Sequence, residues 1–206
     1  MSRICVVTEN ASAYYVMITR LRKAGLPFVS LVPGSASAQC DLILTTTAEA
    51  GSFDPRQTVT VEGLDENPSI FRGQIFSHLD GGKETILVGV DPGTRIGMAA
   101  YYGNAELGFD TFDSAEGLCA TVAAFVKRVP ARRSLVRIGN GDLPMATRLA
   151  SVLAREIPET AVELVDESGT SSRGVKIQGI QGDQRAAARI ALRKGAIFTR
   201  NARSQR

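Results

Sequence analysis

The sequence has few of the residues that most often carry enzyme chemistry. Among 206 residues there is one histidine, His78, and there are three cysteines and no tryptophan. The cysteines, Cys5, Cys40 and Cys119, lie far apart, and none belongs to a Cys-x-x-Cys pair. Zinc binding, thiol chemistry and Ser-His-Asp or Cys-His catalysis are therefore not expected, and we expect His78 to be structural or solvent-facing. Any catalysis must depend on carboxylates.

The chain also lacks a run of about 18 apolar residues, and its N-terminus does not resemble an export signal. We therefore expect a cytoplasmic protein with no membrane partner. A chain of 206 residues is long enough for one large domain or two small ones with packed cores.

Basic residues are concentrated near the C-terminus. The whole chain carries a net charge of +3, yet residues 168–206 hold nine basic residues against one acid, Asp183. This segment therefore carries +8 and the first 167 residues carry −5. Such a distribution indicates a polyanionic partner, most simply nucleic acid. The alternative is a solubilising basic tail, of which residues 199–206 would be the end.

Residues 1–80 have the pattern of a small α/β domain. Strands alternating with helices predict a parallel, doubly wound sheet of the Rossmann or receiver type, whose role the sequence does not indicate. No Gly-x-Gly-x-x-Gly run follows the first strand, so a dinucleotide site is not expected. The run Thr45–Thr47 ends a strand, where either a ligand or a simple capped turn is expected. The predicted strands are 3–8, 28–32, 42–46 and 58–61, and the predicted helices are 12–24 and 68–79.

A polar break, Asp80-Gly-Gly-Lys83, separates this half from a second domain over residues 84–198. Three strands in succession, followed by alternating helices and strands, predict a mixed five-stranded sheet that begins with an antiparallel meander. The predicted strands are 86–91, 96–102, 105–113, 134–139 and 161–167, the helices are 114–128, 143–157 and 183–194, and residues 168–182 form a loop.

The second domain opens on an informative motif. An apolar run ends in Asp91, turns on Pro-Gly and returns as a second apolar run. This pattern places a carboxylate at the mouth of a buried hairpin, where a metal or phosphate can reach it. The alternative is an ordinary turn in which Asp91 bonds its own backbone.

Three segments resemble one nuclease superfamily. Val88–Gly97 resembles the opening hairpin of the RuvC and YqgF families, and Leu164–Ser171 is similar to the Asp-Glu-x-x-Thr-Thr/Ser motif of the YqgF branch. Asp183–Leu192 resembles the final helix of the superfamily, which opens on an acid. The resemblance covers residues 86–195 and implies an RNase H-like fold with divalent-metal chemistry.

A nuclease of this kind needs several carboxylates around Mg²⁺ or Mn²⁺. The resemblance assigns the catalytic and metal-binding roles to Asp91, Glu167 and Asp183, and Asp142 and Asp166 are further metal candidates. Glu167 is favoured over Asp166 because adjacent strand residues point to opposite faces and Glu167 lies nearer the strand end. Asp183 has an alternative role as an acid that complements the helix dipole.

The chain departs from the RuvC pattern where that family places a glutamate after the fourth strand. Here the sequence reads Gly139-Asn140-Gly-Asp142. Asn140 is at best a weak ligand, and Asp142 either replaces the missing acid or, as the commoner role, caps the next helix. The departure puts catalytic activity in doubt.

Basic residues near these acids are expected to contact phosphates. Three recur every four residues on the last helix, two lie in a glycine-containing loop and one follows the first hairpin turn. That loop has no aromatic residue, so base stacking is not expected. The nucleic-acid-binding candidates are Arg95, Arg173, Lys176, Arg185, Arg189 and Arg193.

The sequence thus favours an Mg²⁺-dependent endonuclease that acts on branched DNA, as a Holliday junction resolvase does, or on structured RNA. Symmetric cutting of a four-way junction would require a homodimer. A second hypothesis is a nucleic-acid-binding protein that keeps the fold without catalysis. A third is an ATP-dependent phosphotransferase of the sugar-kinase and actin-like type, which residues 1–80 disfavour because they do not repeat the second half.

Overall fold

The chain forms two compact units in a computed structural model that describes residues 2–34, 39–167 and 182–198. The first unit comprises residues 1–83 together with 128–130, and the second comprises residues 84–127 and 131–206. The polar break predicted at residues 80–83 lies at the end of the first of these segments. The predicted basic tail, 199–206, lies outside the described residues.

The first unit contains a four-stranded parallel sheet in the order β2-β1-β3-β4. Each predicted strand and helix is present, within a few residues of its predicted ends. The strands are β1 (Ile4–Val7), β2 (Phe28–Leu31), β3 (Leu42–Thr45) and β4 (Thr58–Thr60), and the helices are α1 (Ala11–Lys23) and α2 (Pro68–Asp80).

Local signals explain where both helices begin. Asn10 caps α1 by accepting a hydrogen bond from the backbone N–H of Ala13, and Asn67 caps α2, whose first residue is Pro68. At its other end α2 stops at Gly81, which adopts the left-handed conformation with φ of 72°.

Both helices pack on the same face of the first sheet. Met17 and Leu21 of α1 share one buried cluster with Phe71 and Ile75 of α2. A doubly wound sheet has helices on both faces, so the parallel α/β sheet is confirmed whereas its doubly wound arrangement is not. The described part of the connection between β2 and β3, which begins with Pro33-Gly34 and has a 3₁₀ residue at Gln39, contains no α-helix.

The opposite face of this sheet carries a disulfide bond between Cys5 and Cys40. It lies in a small cluster with Val7 and Ile43, all of them buried. The sequence analysis expected no thiol chemistry and did not anticipate the bond, because a separation of 35 residues without a spacing motif does not reveal which cysteines meet. Cys119 is free and buried.

The second unit contains a six-stranded mixed sheet in the order β10-β9-β8-β5-β6-β7. The α/β class and the antiparallel meander β5-β6-β7 are confirmed, and β8 and β9 run parallel to β5. The strands are β5 (Thr85–Asp91), β6 (Ile96–Tyr102), β7 (Ala105–Phe112), β8 (Arg133–Gly139), β9 (Ala161–Val165) and β10 (Ala196–Ile197), and the helices are α3 (Ala115–Arg128), α4 (Leu143–Glu156) and α5 (Gly182–Ala191).

The predicted sheet had five strands, and the sixth, β10, was missed. It has only two residues and pairs antiparallel with β9, which is too short a segment to show a periodic pattern. The last helix also ends at Ala191 rather than 194, because the chain must turn before Gly195 to reach β10.

The two faces of β5 differ in character. Ile86, Val88 and Val90 are fully buried on one face. Gly89 and Asp91 alternate with them and point to the other face, which carries α5.

In the part of the chain that the structure describes, no helix has both the length and the apolar character that crossing a bilayer requires.

Candidate active site

Asp91 is the last residue of the central strand β5. It is half-buried and lies directly opposite Gly97 of β6 in the antiparallel ladder. Side chains of directly paired residues lie on the same face of the sheet. The atoms that lie above Gly97 are therefore also neighbours of the Asp91 carboxylate.

The N-terminal turn of α5 lies on this pair. A Cβ atom added at Gly97 would lie 2.3 Å from the backbone carbonyl oxygen of Asp183. One at Gly89 would lie 2.1 Å from the carbonyl oxygen of Ala187. The helix therefore rests directly on the backbones of β5 and β6, which only glycine allows, and this packing brings Asp183 over the end of β5.

Glu167 reaches the same edge from the end of β9. Its Oε1 accepts a hydrogen bond of 3.0 Å from the backbone N–H of Gly141. Its own backbone N–H donates to Oδ1 of Asn140 at 3.2 Å. An added Cβ at Gly139 would lie 2.0 Å from Oε1 of Glu167, so the glycines on both sides of Asn140 make room for this carboxylate.

Asn140, the departure from the RuvC pattern, therefore has an identifiable role. Its backbone N–H donates to the carbonyl oxygen of Val165 and its side chain accepts from Glu167, so it joins the ends of β8 and β9. It positions an acid instead of supplying one.

The environment of Asp91 raises the pKa of its carboxyl group to about 6. The largest cause is burial, which disfavours the charged form, followed by the negative charges of Glu167 and Asp183. Three predicted site residues from distant parts of the sequence thus lie close enough to interact electrostatically.

The other two candidate acids are placed differently. Asp142 caps α4, with its carboxylate accepting a hydrogen bond from the backbone N–H of Met145, which is the commoner of its two predicted roles. Asp166 is exposed, and it is not among the groups that shift the pKa of Asp91. A metal role for either residue stays a prediction.

The chemistry of the three converging acids suits a hard divalent cation, because carboxylate oxygens are the ligands that Mg²⁺ and Mn²⁺ prefer. Within residues 2–34, 39–167 and 182–198, however, no three side chains of His, Cys, Asp or Glu form a group that could hold a metal ion as they stand. The acids are near enough to repel one another, and they would have to draw closer to share an ion.

Two of the predicted phosphate-binding arginines lie beside Glu167. Arg189 on α5 and Arg193, which follows the end of α5, line a small pocket together with Glu167. Arg193 also donates to the backbone carbonyl oxygen of Asp166 at 3.2 Å. Arg185 is exposed on the same helix. The pocket combines one carboxylate with two guanidinium groups at the edge of the acidic centre.

The remaining basic candidates are not part of this group. Arg95 donates to the hydroxyl of Thr111 at 3.0 Å and pairs with Asp113 at 3.5 Å, so its guanidinium group is engaged by β7 and the residue that follows it. Arg173 and Lys176 lie outside the described residues.

A buried ion pair that the sequence analysis missed ties the far end of α5 to the sheet. Arg137 on β8 binds Glu163 on β9 at 2.9 Å and also donates to the carbonyl oxygen of Ala191 at 2.6 Å. Glu163 accepts in turn from the backbone N–H of Gly195. The side chains of Arg137 and Glu163 are 13% and 17% exposed. The one indication of this contact in the sequence is that the two residues have opposite charges and lie at positions that pair on neighbouring strands.

The carboxyl edge of the first sheet is occupied differently. Glu49, shortly after β3, accepts hydrogen bonds of 2.6 Å from the hydroxyls of Thr8 and Thr46 and one of 2.7 Å from the backbone N–H of Glu9. These donors lower the pKa of Glu49 to about 2. The side chains of the run Thr45–Thr47 are therefore engaged in hydrogen bonds within the chain.

Comparisons with known proteins do not assign this chain. No protein-family model matches it, and no curated protein sequence matches it. The function of the chain must therefore be inferred from its own residues and their geometry.

Proposed function

We propose that the second unit is an RNase H-like domain and that the protein is a metal-dependent endonuclease. The observation that carries this proposal is the convergence of Asp91, Glu167 and Asp183 on one edge of the sheet. The three acids come from a strand end, a loop and a helix start, and each is held by backbone packing or hydrogen bonds.

Each residue has a defined part in the proposed reaction. Asp91, Asp183 and Glu167, which interact electrostatically, are the residues that would hold divalent ions. Such ions, when bound, lower the pKa of a water molecule and neutralise the charge that develops on the leaving oxygen. Gly141 fixes the orientation of Glu167 through its N–H group. Arg189 and Arg193 would bind oxygens of the substrate phosphate beside Glu167.

The substrate class that we favour is branched DNA, with structured RNA as the alternative. Support comes from the +8 charge of residues 168–206, which suits a polyanion. The described pocket beside Glu167 is lined by two arginines and by no aromatic residue on which a base could stack, so we expect recognition of nucleic-acid shape more than of sequence.

A substrate screen tests this proposal. A labelled four-way DNA junction, a linear duplex, a single strand and a hairpin RNA are incubated with Mg²⁺ or Mn²⁺. We expect divalent-dependent cleavage of the junction or of the RNA, and loss of cleavage in the Asp91→Asn, Glu167→Gln and Asp183→Asn variants. Undiminished cleavage by all three variants would contradict the assignment.

A second function, nucleic-acid binding without cleavage, is favoured by two observations. Asn140 stands where the resembled family has a glutamate, and no ready ligand group is present among the described residues. This hypothesis predicts salt-sensitive binding with no product for any substrate or metal. Under it, Asp91→Asn would bind nucleic acid at least as tightly as the unmodified protein, because one repelling carboxylate is removed.

A further inference from the structure

The first unit contains a cleft that the proposed nuclease chemistry does not use. It has a volume of about 650 Å³ and lies between the 3₁₀ turn at Val61–Gly63, the second half of α2 and residues 128–130. This volume is in the range of small-molecule sites, which is about 300–1,000 Å³. The cleft is therefore large enough for an organic ligand.

The charged residues that line the cleft are all basic. Arg56 and Arg128 lie on its walls together with His78, the only histidine of the chain, and none of the residues that line it is acidic. The first unit as a whole has no such excess, since it holds eight basic and eight acidic residues. Two of the eight basic residues line the cleft and none of the acidic ones does, so the lining is more basic than the unit.

The two arginines are available to a ligand. Arg128 is held by Asp65, whose side chain is 7% exposed, yet the Arg128 side chain is itself 61% exposed. Asp65 thus fixes the guanidinium group without covering it. Arg56 forms no ion pair among the described residues. The Nε2 atom of His78 is shielded and has no hydrogen-bond partner in the described part of the chain.

The other polar groups of the cleft are already satisfied. The hydroxyl of Ser77 donates to the carbonyl oxygen of Pro130 at 2.6 Å. Gln74 uses both ends of its amide, accepting from the N–H of Asp65 and donating to the carbonyl oxygen of Arg128. The donors that remain for a ligand are those of Arg56 and the exposed part of the Arg128 guanidinium group, and such donors select an anion.

Apolar side chains complete the lining, namely Val59, Leu64 and Pro130. No Phe, Tyr or Trp of the described residues lines the cleft, so a large aromatic platform for a nucleobase is missing there. We infer that the first unit binds a small organic phosphate, with the phosphate group on Arg56, Arg128 and His78 and the carbon body against the apolar wall. Guanidinium groups suit phosphate oxygens in particular.

The single histidine provides a direct probe. In the full-length, untagged protein, the ring protons of His78 are followed by NMR while ribose 5-phosphate, AMP or inorganic phosphate is added. We expect saturable shifts with both organic phosphates and weaker binding of inorganic phosphate. A lack of saturable shifts would overturn the inference, and equal affinity for inorganic phosphate would contradict the role of the apolar wall.

Variants locate the site. Arg56→Gln is expected to weaken binding about tenfold, because one charge-assisted contact is lost. Arg22→Gln is the matched control, since Arg22 is an exposed arginine on α1 outside the cleft. Arg128 is unsuitable as a first choice, because its removal would leave Asp65 buried without its partner. Equal binding by Arg56→Gln and Arg22→Gln would overturn the inference.

The Asp91→Asn variant separates this site from the acidic centre. We expect it to bind ribose 5-phosphate with unchanged affinity, whatever happens to nuclease activity. Loss of binding in Asp91→Asn would place the ligand in the second unit and contradict the proposed site. The inference is thus tested independently of the proposed function.

Discussion

Glu49 and Asp91 are both partly buried carboxylates, one in each unit, and their surroundings are opposite. Asp91 ends β5, and Glu49 follows shortly after the end of β3. Glu49 accepts hydrogen bonds from two hydroxyls and a backbone N–H, which lower its pKa to about 2. Burial and two neighbouring carboxylates raise the pKa of Asp91 to about 6. The charge of Glu49 is satisfied within the protein, whereas the charge of Asp91 is not.

This contrast distinguishes a structural acid from a functional one. An acid whose oxygens are already bonded to donors joins parts of the fold and has little to offer a cation. An acid grouped with other acids costs stability, and that cost is offset only when a positive charge binds. The groups that surround an acid therefore indicate whether it is structural or functional better than its position near the end of a strand does.

The largest difference between the two acids should be in catalysis. We expect Asp91→Asn to lower divalent-dependent cleavage on the order of a thousandfold, whereas Glu49→Gln leaves cleavage unchanged. Glu159→Gln is the matched control, because Glu159 is exposed and does not act on Asp91. Single-turnover cleavage of the best substrate measures all three variants. Equal losses of cleavage in Asp91→Asn and Glu159→Gln would show that Asp91 has no special part in the reaction.

The next effect concerns the glycines on which the acidic centre is built. Gly97→Ala would place a Cβ 2.3 Å from the carbonyl oxygen of Asp183, and backbone atoms cannot move aside easily. We expect unfolding by urea to show a loss of about 2–4 kcal/mol. Gly51→Ala in the first unit is the control, because an added Cβ there has no neighbour within 4 Å, and its effect should stay within about 0.5 kcal/mol. Similar losses in both would show that α5 does not rest on the sheet as described.

Substituting the two acids should change stability in opposite directions at pH 7. Glu49→Gln removes charge-assisted hydrogen bonds and should lower the free energy of unfolding by about 1–2 kcal/mol. Asp91→Asn relieves repulsion and should raise it by about 1–2 kcal/mol. Glu9→Gln is the control for Glu49, since its side chain is exposed. If Asp91→Asn lowered the free energy of unfolding, this would contradict the claim that the charge of Asp91 is unsatisfied within the protein.

The stability differences should also depend on pH in separate windows. The pKa of Asp91 is higher in the folded state than its ordinary 3.8, so its destabilising effect is present above pH 6 and is relieved as the pH falls towards 4. The advantage of Asp91→Asn over the unmodified protein should therefore shrink between pH 7 and 5.

The pKa of Glu49 is lower than its ordinary 4.5, so its contribution is present above that value and is lost only as the pH falls towards 2. The deficit of Glu49→Gln should stay constant between pH 7 and 5. Urea unfolding of both variants at several pH values measures this, and parallel curves for the two would refute the comparison.

The strands and helices of both units were predictable because their apolar periodicity and caps are local. Asp91, Glu167 and Asp183 were chosen from motifs at element ends, and the structure brings them together. The choice of Glu167 over Asp166 followed from strand alternation, and Glu167 is the one of the two that acts on Asp91.

The parts that were missed depend on contacts between distant residues. The disulfide, the strand β10 and the Arg137–Glu163 pair each join segments whose proximity no local pattern reveals. The role of Asn140 was also missed, because a hydrogen bond to the backbone of Glu167 leaves no trace in the sequence. Within the described residues the two α-helices of the first unit pack on one face of its sheet, and alternation of strands and helices alone could not reveal this.

Binding of Mn²⁺ to the purified protein, followed by electron paramagnetic resonance, tests the central claim most directly. The claim is that Asp91, Glu167 and Asp183 together attract a divalent ion. We expect saturable Mn²⁺ binding that is lost in Asp91→Asn and in Asp183→Asn and is kept in Glu159→Gln and Glu49→Gln. Binding that is equal in all four variants, or none in the unmodified protein, would contradict it.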